Sequence, residues 1–449
     1  MARTQTVFVC SACGGESPKW QGQCPACAEW NSLSRLSGVA VPSSLRQAAP
    51  AAVGQSLGGA AAGRFSLGLG ELDRVVGGGM TGGSVCLLGG EPGIGKSTLL
   101  LQVAAAVSAL RPVLYASGEE SVAQTTLRAQ RLSLAPEKLG VVSSSALEEI
   151  LALASERQAQ LLLIDSIQTM QSQSADGPPG SLPQLRECTA ALVRFAKAAG
   201  TAIIIVGHVT KDGAIAGPKL LEHLVDTVLY FESDAASRFR ILRATKNRFG
   251  AANELGFLAM SEGGLQEVKN PSAIFVSRHA EPVPGSVVMV ARDGGRALLI
   301  EVQALVDHAR ASMPRRVAQG VDANRLSMLL AVMSRHAGVT LADFDVFVNL
   351  VGGLQIGETA TDLPLTLALV SSLRSLALPM DLVVFGELGL TGEVRPVAHG
   401  EERVRELAKQ GYRRVILPRQ NMPRGAAPEG VQLVPVTSLA AAVEAALQP

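Results

Sequence analysis

Chemistry first becomes possible in this chain at Gly90-Glu91-Pro92-Gly93-Ile94-Gly95-Lys96-Ser97-Thr98. The segment fits G-x-x-x-x-G-K-[ST] without a mismatch, follows an apolar run from Ser84 to Leu88, and leads into a helical pattern from Thr98 to Ala109. Glycines at these positions let backbone N–H groups turn inward around a phosphate, and the helix N-terminus adds positive potential. Lys96 is spaced to reach the β and γ phosphates of ATP, and the Ser97 hydroxyl to ligate magnesium. The loop therefore predicts ATP and Mg2+ as cofactors, cradled by Gly90 through Thr98.

Two further carboxylate positions belong to the same chemistry. Leu161-Leu162-Leu163-Ile164-Asp165 is an apolar strand pattern ending in an acid, which in such sites holds the magnesium shell. Taken alone, a strand-ending Asp is commonly a turn or cap residue; its place after a P-loop favours the functional reading. Tyr115-Ala116-Ser117-Gly118-Glu119-Glu120 closes the strand pattern after the P-loop helix, where a carboxylate orients water for attack on the γ-phosphate. Glu119 is the better candidate and Glu120 the reserve. The competing reading is a solvated acidic pair capping the next helix.

A second chemistry sits near the N-terminus. Cys10-Ser11-Ala12-Cys13 and Cys24-Pro25-Ala26-Cys27 are two C-x-x-C knuckles in a short span, and four thiolates at this spacing close a tetrahedron around Zn2+. A redox pair is the alternative, which two adjacent knuckles disfavour. Trp20 and Trp30 flank the second knuckle and are expected to pack on the site. The other cysteines, Cys86 and Cys188, fall in apolar surroundings and read as buried thiols.

The elements that must position these groups follow from pattern. At 449 residues with 47% apolar and 18% charged residues, the chain predicts a soluble protein of more than one domain. Its formal net charge of +1 gives no global field toward nucleic acid, so any DNA contact must come from a local basic patch, which oligomerisation could repeat. There is no run of about 18 uncharged apolar residues and no basic stretch followed by an apolar one at the start, so neither a membrane span nor a secretory signal is expected, and a cytoplasmic location follows. Ala, Ser, Gly and Pro dominate from Leu36 to Gly63, which reads as a linker. After it, Val113 to Ala116, Leu161 to Ile164 and Ile203 to Val206 read as strands of a parallel sheet, with helices at Val122 to Arg131 and Leu147 to Arg157. From Asn270 the texture changes. Strands Val287 to Val290 and Ala297 to Val302 flank an Asp293-Gly294-Gly295 turn, and helices follow near Asn324 to His336 and Leu363 to Leu376.

These residues resemble the bacterial RadA (Sms) family of DNA repair proteins. The resemblance rests on the four-cysteine finger, the Gly90–Thr98 loop, Lys246-Asn247-Arg248-Phe249-Gly250, and the run from Gly207-His208 through Lys211 to Gly217-Pro218-Lys219. It covers almost the whole chain. It implies an α/β fold: a RecA-like P-loop ATPase core at 63–268, a zinc finger at 1–35, a linker at 36–62, and a C-terminal α+β Lon-protease-like domain at 269–449. It also implies a DNA-stimulated homohexameric ring that drives branch migration on single-stranded and branched DNA, with the recombinase RecA as functional partner.

Within that resemblance, Lys246 and Arg248 sit at alternate positions of an extended segment and are candidates for a catalytic role at a neighbour's nucleotide or for touching DNA. The bland reading is a solvated basic turn. The segment Thr169 to Pro183 and the segment carrying Lys211 and Lys219 correspond to channel-facing loops that bind single strands, though each also reads as a surface connection. From Val351 to Tyr412 the chain is similar to the Lon proteolytic domain. Asp362 stands at the Ser nucleophile position and Glu401 at the Lys position, a pair that cannot run Ser–Lys acyl transfer. The rival functions are an ATP-dependent protease, which this pair argues against, and a nucleotide-switched DNA-binding scaffold that does not translocate.

Overall fold

The computed structural model describes residues 7–10, 16–17, 19–25, 27–36, 63–134, 139–208, 220–233, 238–277, 279–311, 313–353 and 356–448. Cys13, Lys211 and Lys219 lie outside these residues, as does the linker expected after Leu36. Two compact units emerge. One comprises Met1–Phe231, Ala244–Gly250 and Ser261–Leu265; the other comprises Glu232–Arg243, Ala251–Met260 and Gln266–Pro449.

The N-terminal module is a three-stranded antiparallel sheet in the order Glu16–Ser17, Val7–Cys10, Leu33–Leu36, with Cys10 opposite Leu33. Among the described residues its hydrophobic core is Cys10, Cys24 and Leu33, with Phe8 packed against them.

In the first unit, parallel strands run in the order Thr227–Glu232, Val85–Gly90, Ala202–His208, Leu161–Asp165, Val113–Ser117, Leu139–Ser143. Val85–Gly90, Val113–Ser117 and Leu161–Asp165 are buried along their whole length, which is why they read as unbroken apolar runs rather than alternating ones. Helix Val122–Arg131 begins at a capping box in which Ser121 accepts from the Gln124 N–H and Gln124 reaches back to Ser121. Helix Leu182–Ala199 has Pro183 in its first turn, buries Leu185, Cys188, Leu192 and Ala196, and stops at Gly200 with φ +72°.

The second unit holds a mixed seven-stranded sheet in the order Arg316–Gln319, Phe344–Leu350, Arg296–His308, Ser286–Asp293, Leu382–Val384, Arg414–Pro418, Gln432–Val436. The turn at Asp293-Gly294-Gly295 joins two antiparallel strands, with Asp293 opposite Arg296. Helices Ala323–His336, Asp362–Arg374 and Leu439–Leu447 contribute buried residues to one core, and helix Gly400–Lys409 puts Val404 and Leu407 into a second core with Val383, Phe385 and Val415. Arg403 is 1% exposed; its guanidinium donates to Glu358, to the Val290 carbonyl and to the Ala398 carbonyl, which satisfies a charge that burial would otherwise make costly.

Candidate nucleotide site and metal centre

Four parallel strands end at one edge of the first sheet, at Gly90, Ser117, Asp165 and His208, and the carboxyl ends of such strands are where ligands bind. The P-loop turns there because Gly93 and Gly95 adopt φ +79° and +116°, a region that side chains with a Cβ rarely enter. Helix Lys96–Ser108 starts directly on Lys96. Lys96 Nζ donates to the carbonyls of Gly90 (2.7 Å) and Glu91 (2.8 Å), so the ammonium lies folded back into the loop. Burial lowers the Lys96 pKa from its ordinary value, against the charges of Asp165, Glu119 and Glu91, which pull it up.

Asp165 is 4% exposed and accepts a 2.6 Å hydrogen bond from the Tyr115 hydroxyl. Glu119 accepts from the Ser166 hydroxyl (2.6 Å) and lies 3.3 Å from His208 Nε2. Burial raises the Glu119 pKa, but Ser166 and His208, helped by Lys96, hold its carboxyl below the usual value. Glu120 turns away and pairs with Arg128. The sequence left these two acids as candidate and reserve; the structure sets Glu119 against Ser166 and His208, within electrostatic reach of Lys96, and gives Glu120 to Arg128 of the next helix. The Ser117 hydroxyl fixes this turn by accepting the N–H groups of Glu119 (3.3 Å) and Glu120 (2.9 Å). Tyr115, Ser166 and His208 were not singled out from sequence. Their signal was positional: each lies within two residues of a strand end that carries chemistry, or ends such a strand itself.

The segment after Asp165 is held down rather than slack. Gln184, fully buried, accepts the Ser172 N–H (2.8 Å) and donates to the Ser172 and Ala175 carbonyls. Ser97 supplies a hydroxyl and Asp165 a buried carboxylate, donors of the oxygen type that magnesium takes.

Lys246 lies within strand Phe239–Asn247, and Arg248 lies one residue past its end. Lys246 Nζ donates to the carbonyls of Glu222 (2.7 Å), Val225 (2.8 Å) and His223 (3.4 Å), closing the end of the short helix Leu220–Leu224. Arg248 pairs with Asp226 at 3.2 Å, and the other Asp226 oxygen accepts the Val85 N–H at the start of the P-loop strand. Both basic residues are thus engaged by their own chain, with Arg248 the more exposed at 53% of its side chain.

In the N-terminal module the sulfurs of Cys10, Cys24 and Cys27 lie within 4.8 Å of one another, with Cys10 and Cys27 3.6 Å apart, and none is in a disulfide. A zinc tetrahedron with Zn–S of about 2.3 Å has sulfur–sulfur edges of about 3.8 Å, so the three thiols fit a zinc ion. Cys13 is not among the described residues. The tryptophans correct an expectation: Trp20 is 57% and Trp30 67% exposed. Among the described residues the hydrophobic core of this module, Cys10, Cys24 and Leu33, is too small to cover two indoles. Cys86 and Cys188 are buried thiols, pushed up to about 12.

At the Lon-like positions, Asp362 is buried and held by Arg325 (2.9 Å) and the Leu388 N–H (3.0 Å). Glu401 lies near Arg405 (3.5 Å) and accepts the Arg424 N–H. Asp362 is committed to an ion pair, and nothing in this pairing supplies a base to it.

The parallel sheet, the loop and its converging carboxylates define a RecA-like P-loop ATPase core, joined to a zinc ribbon and a Lon-protease-like C-terminal domain; the chain is an ATP-hydrolysing enzyme using ATP, Mg2+ and Zn2+. A family model described as an AAA domain matches residues 62–214, one described as a rubredoxin metal binding domain matches 8–35, and one described as subunit ChlI of Mg-chelatase matches 313–421. The chain is 51% identical to the DNA repair protein RadA of Pseudomonas aeruginosa over 99% of both chains. It is 51% identical to that of Escherichia coli over 97% of both, and 44% identical to that of Bacillus subtilis over the full length of both. It belongs to the RadA family. Among the described residues no helix is long and apolar enough to cross a membrane.

Proposed function

We propose that this chain is a DNA-stimulated ATPase of DNA repair that works as a homohexameric ring on single-stranded and branched DNA, promotes branch migration of strand-exchange products, and acts in the cytoplasm alongside the recombinase RecA. The observation that carries this reading is full-length relatedness to DNA repair proteins named RadA in a chain that carries a P-loop at Gly90–Thr98. Lys96 reaches the β and γ phosphates, Ser97 and Asp165 hold the magnesium ion, and Glu119 orients the attacking water; when bound, the ion neutralises charge on the transferring phosphoryl group. Cys10, Cys13, Cys24 and Cys27 hold the zinc. The ATPase core is assigned to 63–268, of which Glu232–Arg243 and Ala251–Met260 belong to the second compact unit, and the C-terminal domain, 269–449, to a non-proteolytic scaffold.

DNA enters this scheme through the strand Ala202–His208. Its last residue, His208, touches Glu119, and the eleven residues that follow carry Lys211 and Lys219, proposed to meet phosphates of a single strand. ATP turnover measured with and without single-stranded DNA tests the link; a rate indifferent to DNA at every salt concentration tried would remove it. A nucleotide-switched scaffold predicts DNA-stimulated turnover with no strand displacement, so both are measured on the same preparation.

For the ring, Arg248 and Lys246 are proposed to complete the neighbour's nucleotide site, Lys246 by fixing the end of helix Leu220–Leu224 and Arg248 by reaching outward. Arg248→Ala is expected to keep nucleotide binding and to lower DNA-stimulated hydrolysis about tenfold or more. Lys96→Ala chains, inactive themselves but carrying Arg248, should restore part of that hydrolysis in mixed rings. Mixed rings that form and restore nothing would leave Arg248 a DNA contact or a fold residue.

A further inference from the structure

We infer that Tyr115 is a positioning residue: its hydroxyl sets the Asp165 carboxylate in the orientation that receives the magnesium ion of a bound nucleotide. The inference rests on the reading of Asp165 as the magnesium-holding carboxylate. Strands Val113–Ser117 and Leu161–Asp165 are parallel neighbours, with Tyr115 opposite Leu163 and Ser117 opposite Asp165. Side chains alternate along a strand and paired residues share a face, so Tyr115 and Asp165 stand on the same side of the sheet, diagonally across the pair. The opposite face, carrying Leu114, Ala116, Leu162 and Ile164, is given over to the apolar core.

Tyr115 is 1% exposed and its hydroxyl donates to Asp165 Oδ2 at 2.6 Å. Among the described residues no other group donates to that carboxylate. The donor on Oδ2 restricts rotation of the carboxylate and leaves Oδ1 for the ion. A tyrosine needed only to fill this space would keep its ring as phenylalanine and lose nothing. Partners that orient a metal ligand behave differently, and their removal typically costs about 10- to 100-fold in metal affinity.

The test is the magnesium dependence of nucleotide binding by the full-length chain, followed with a fluorescent ATP analogue titrated with Mg2+ and again in EDTA. Tyr115→Phe should raise the Mg2+ concentration for half-maximal binding by about 10- to 100-fold and leave binding in EDTA unchanged. An unchanged Mg2+ requirement overturns the inference. So does an equal loss with and without Mg2+ accompanied by a lower thermal midpoint, which marks a purely structural residue. Asp165→Asn separates the two levels of the argument. It should abolish the Mg2+-dependent gain and make Tyr115→Phe silent in its background. If Asp165→Asn leaves the Mg2+ dependence intact, the assignment of Asp165 fails, and the inference about Tyr115 falls with it.

Discussion

Lys96→Ala is expected to lower ATP turnover by on the order of 10³-fold or more while the chain stays folded. In the structure the ammonium is folded onto the Gly90 and Glu91 carbonyls, at the mouth of a loop whose glycines already hold the phosphate-binding turn. Its removal acts twice. The phosphates lose their nearest side-chain cation, and the charges of Asp165, Glu119 and Glu91, which Lys96 now faces, are left unopposed where a triphosphate must sit. Nucleotide binding should weaken along with turnover, because part of the interaction is already present in the ground state. A steady-state assay with purified Lys96→Ala protein checks this; turnover within a factor of two of the parent would end the P-loop assignment.

Zinc should be present at about one ion per chain, and Cys24→Ser should lose it and unfold the N-terminal module without stopping basal ATP hydrolysis. Cys10, Cys24 and Leu33 with Phe8 cannot supply a core of useful size, whereas binding at a structural zinc site is worth about 10–16 kcal/mol and is spent on folding. Metal analysis of unchelated protein is the first check, and a zinc-free preparation would reject the site. The chain has two tryptophans, Trp20 and Trp30, and both lie in this module. Intrinsic tryptophan fluorescence therefore follows the zinc ribbon alone, and chelation should change the emission at once while ATP turnover without DNA holds within about a factor of two.

Much of the ATP site was legible because its parts are short and local. The P-loop, the strand ending at Asp165 and the turn at Glu119 are contiguous residues whose periodicity announces their context. The sequence ranks Glu119 above Glu120, but the surroundings that set them apart were not legible: Arg128, eight residues on from Glu120, and Ser166 and His208 at the ends of other strands. Helix Leu182–Ala199 shows an apolar period at Leu185, Cys188, Leu192 and Ala196, but it carries Pro183 in its first turn and follows a Gln- and Ser-rich stretch that reads as loop. Strand Leu139–Ser143 is short and only partly buried, too weak a pattern to stand out. The tryptophans misled because a large aromatic near a metal knuckle suggests packing, and nothing in their spacing says how little core is available to receive them.

The boundary of the second compact unit has a consequence for how the chain can be divided. Residues Glu232–Arg243 and Ala251–Met260 belong to that unit, while Ala244–Gly250, with Lys246 and Arg248, belongs to the first. Phe239 to Arg243 pair with Leu255 to Ala259, and Leu255 and Phe257 sit in one core with Phe275, Met289 and Ile300. A fragment ending near residue 268 would carry those two strands without the core that buries Leu255 and Phe257, and would expose them. The two units are interleaved in sequence, so no single cut yields both intact, and a chain inheriting one from a different ancestor would need to take its strands from several places at once.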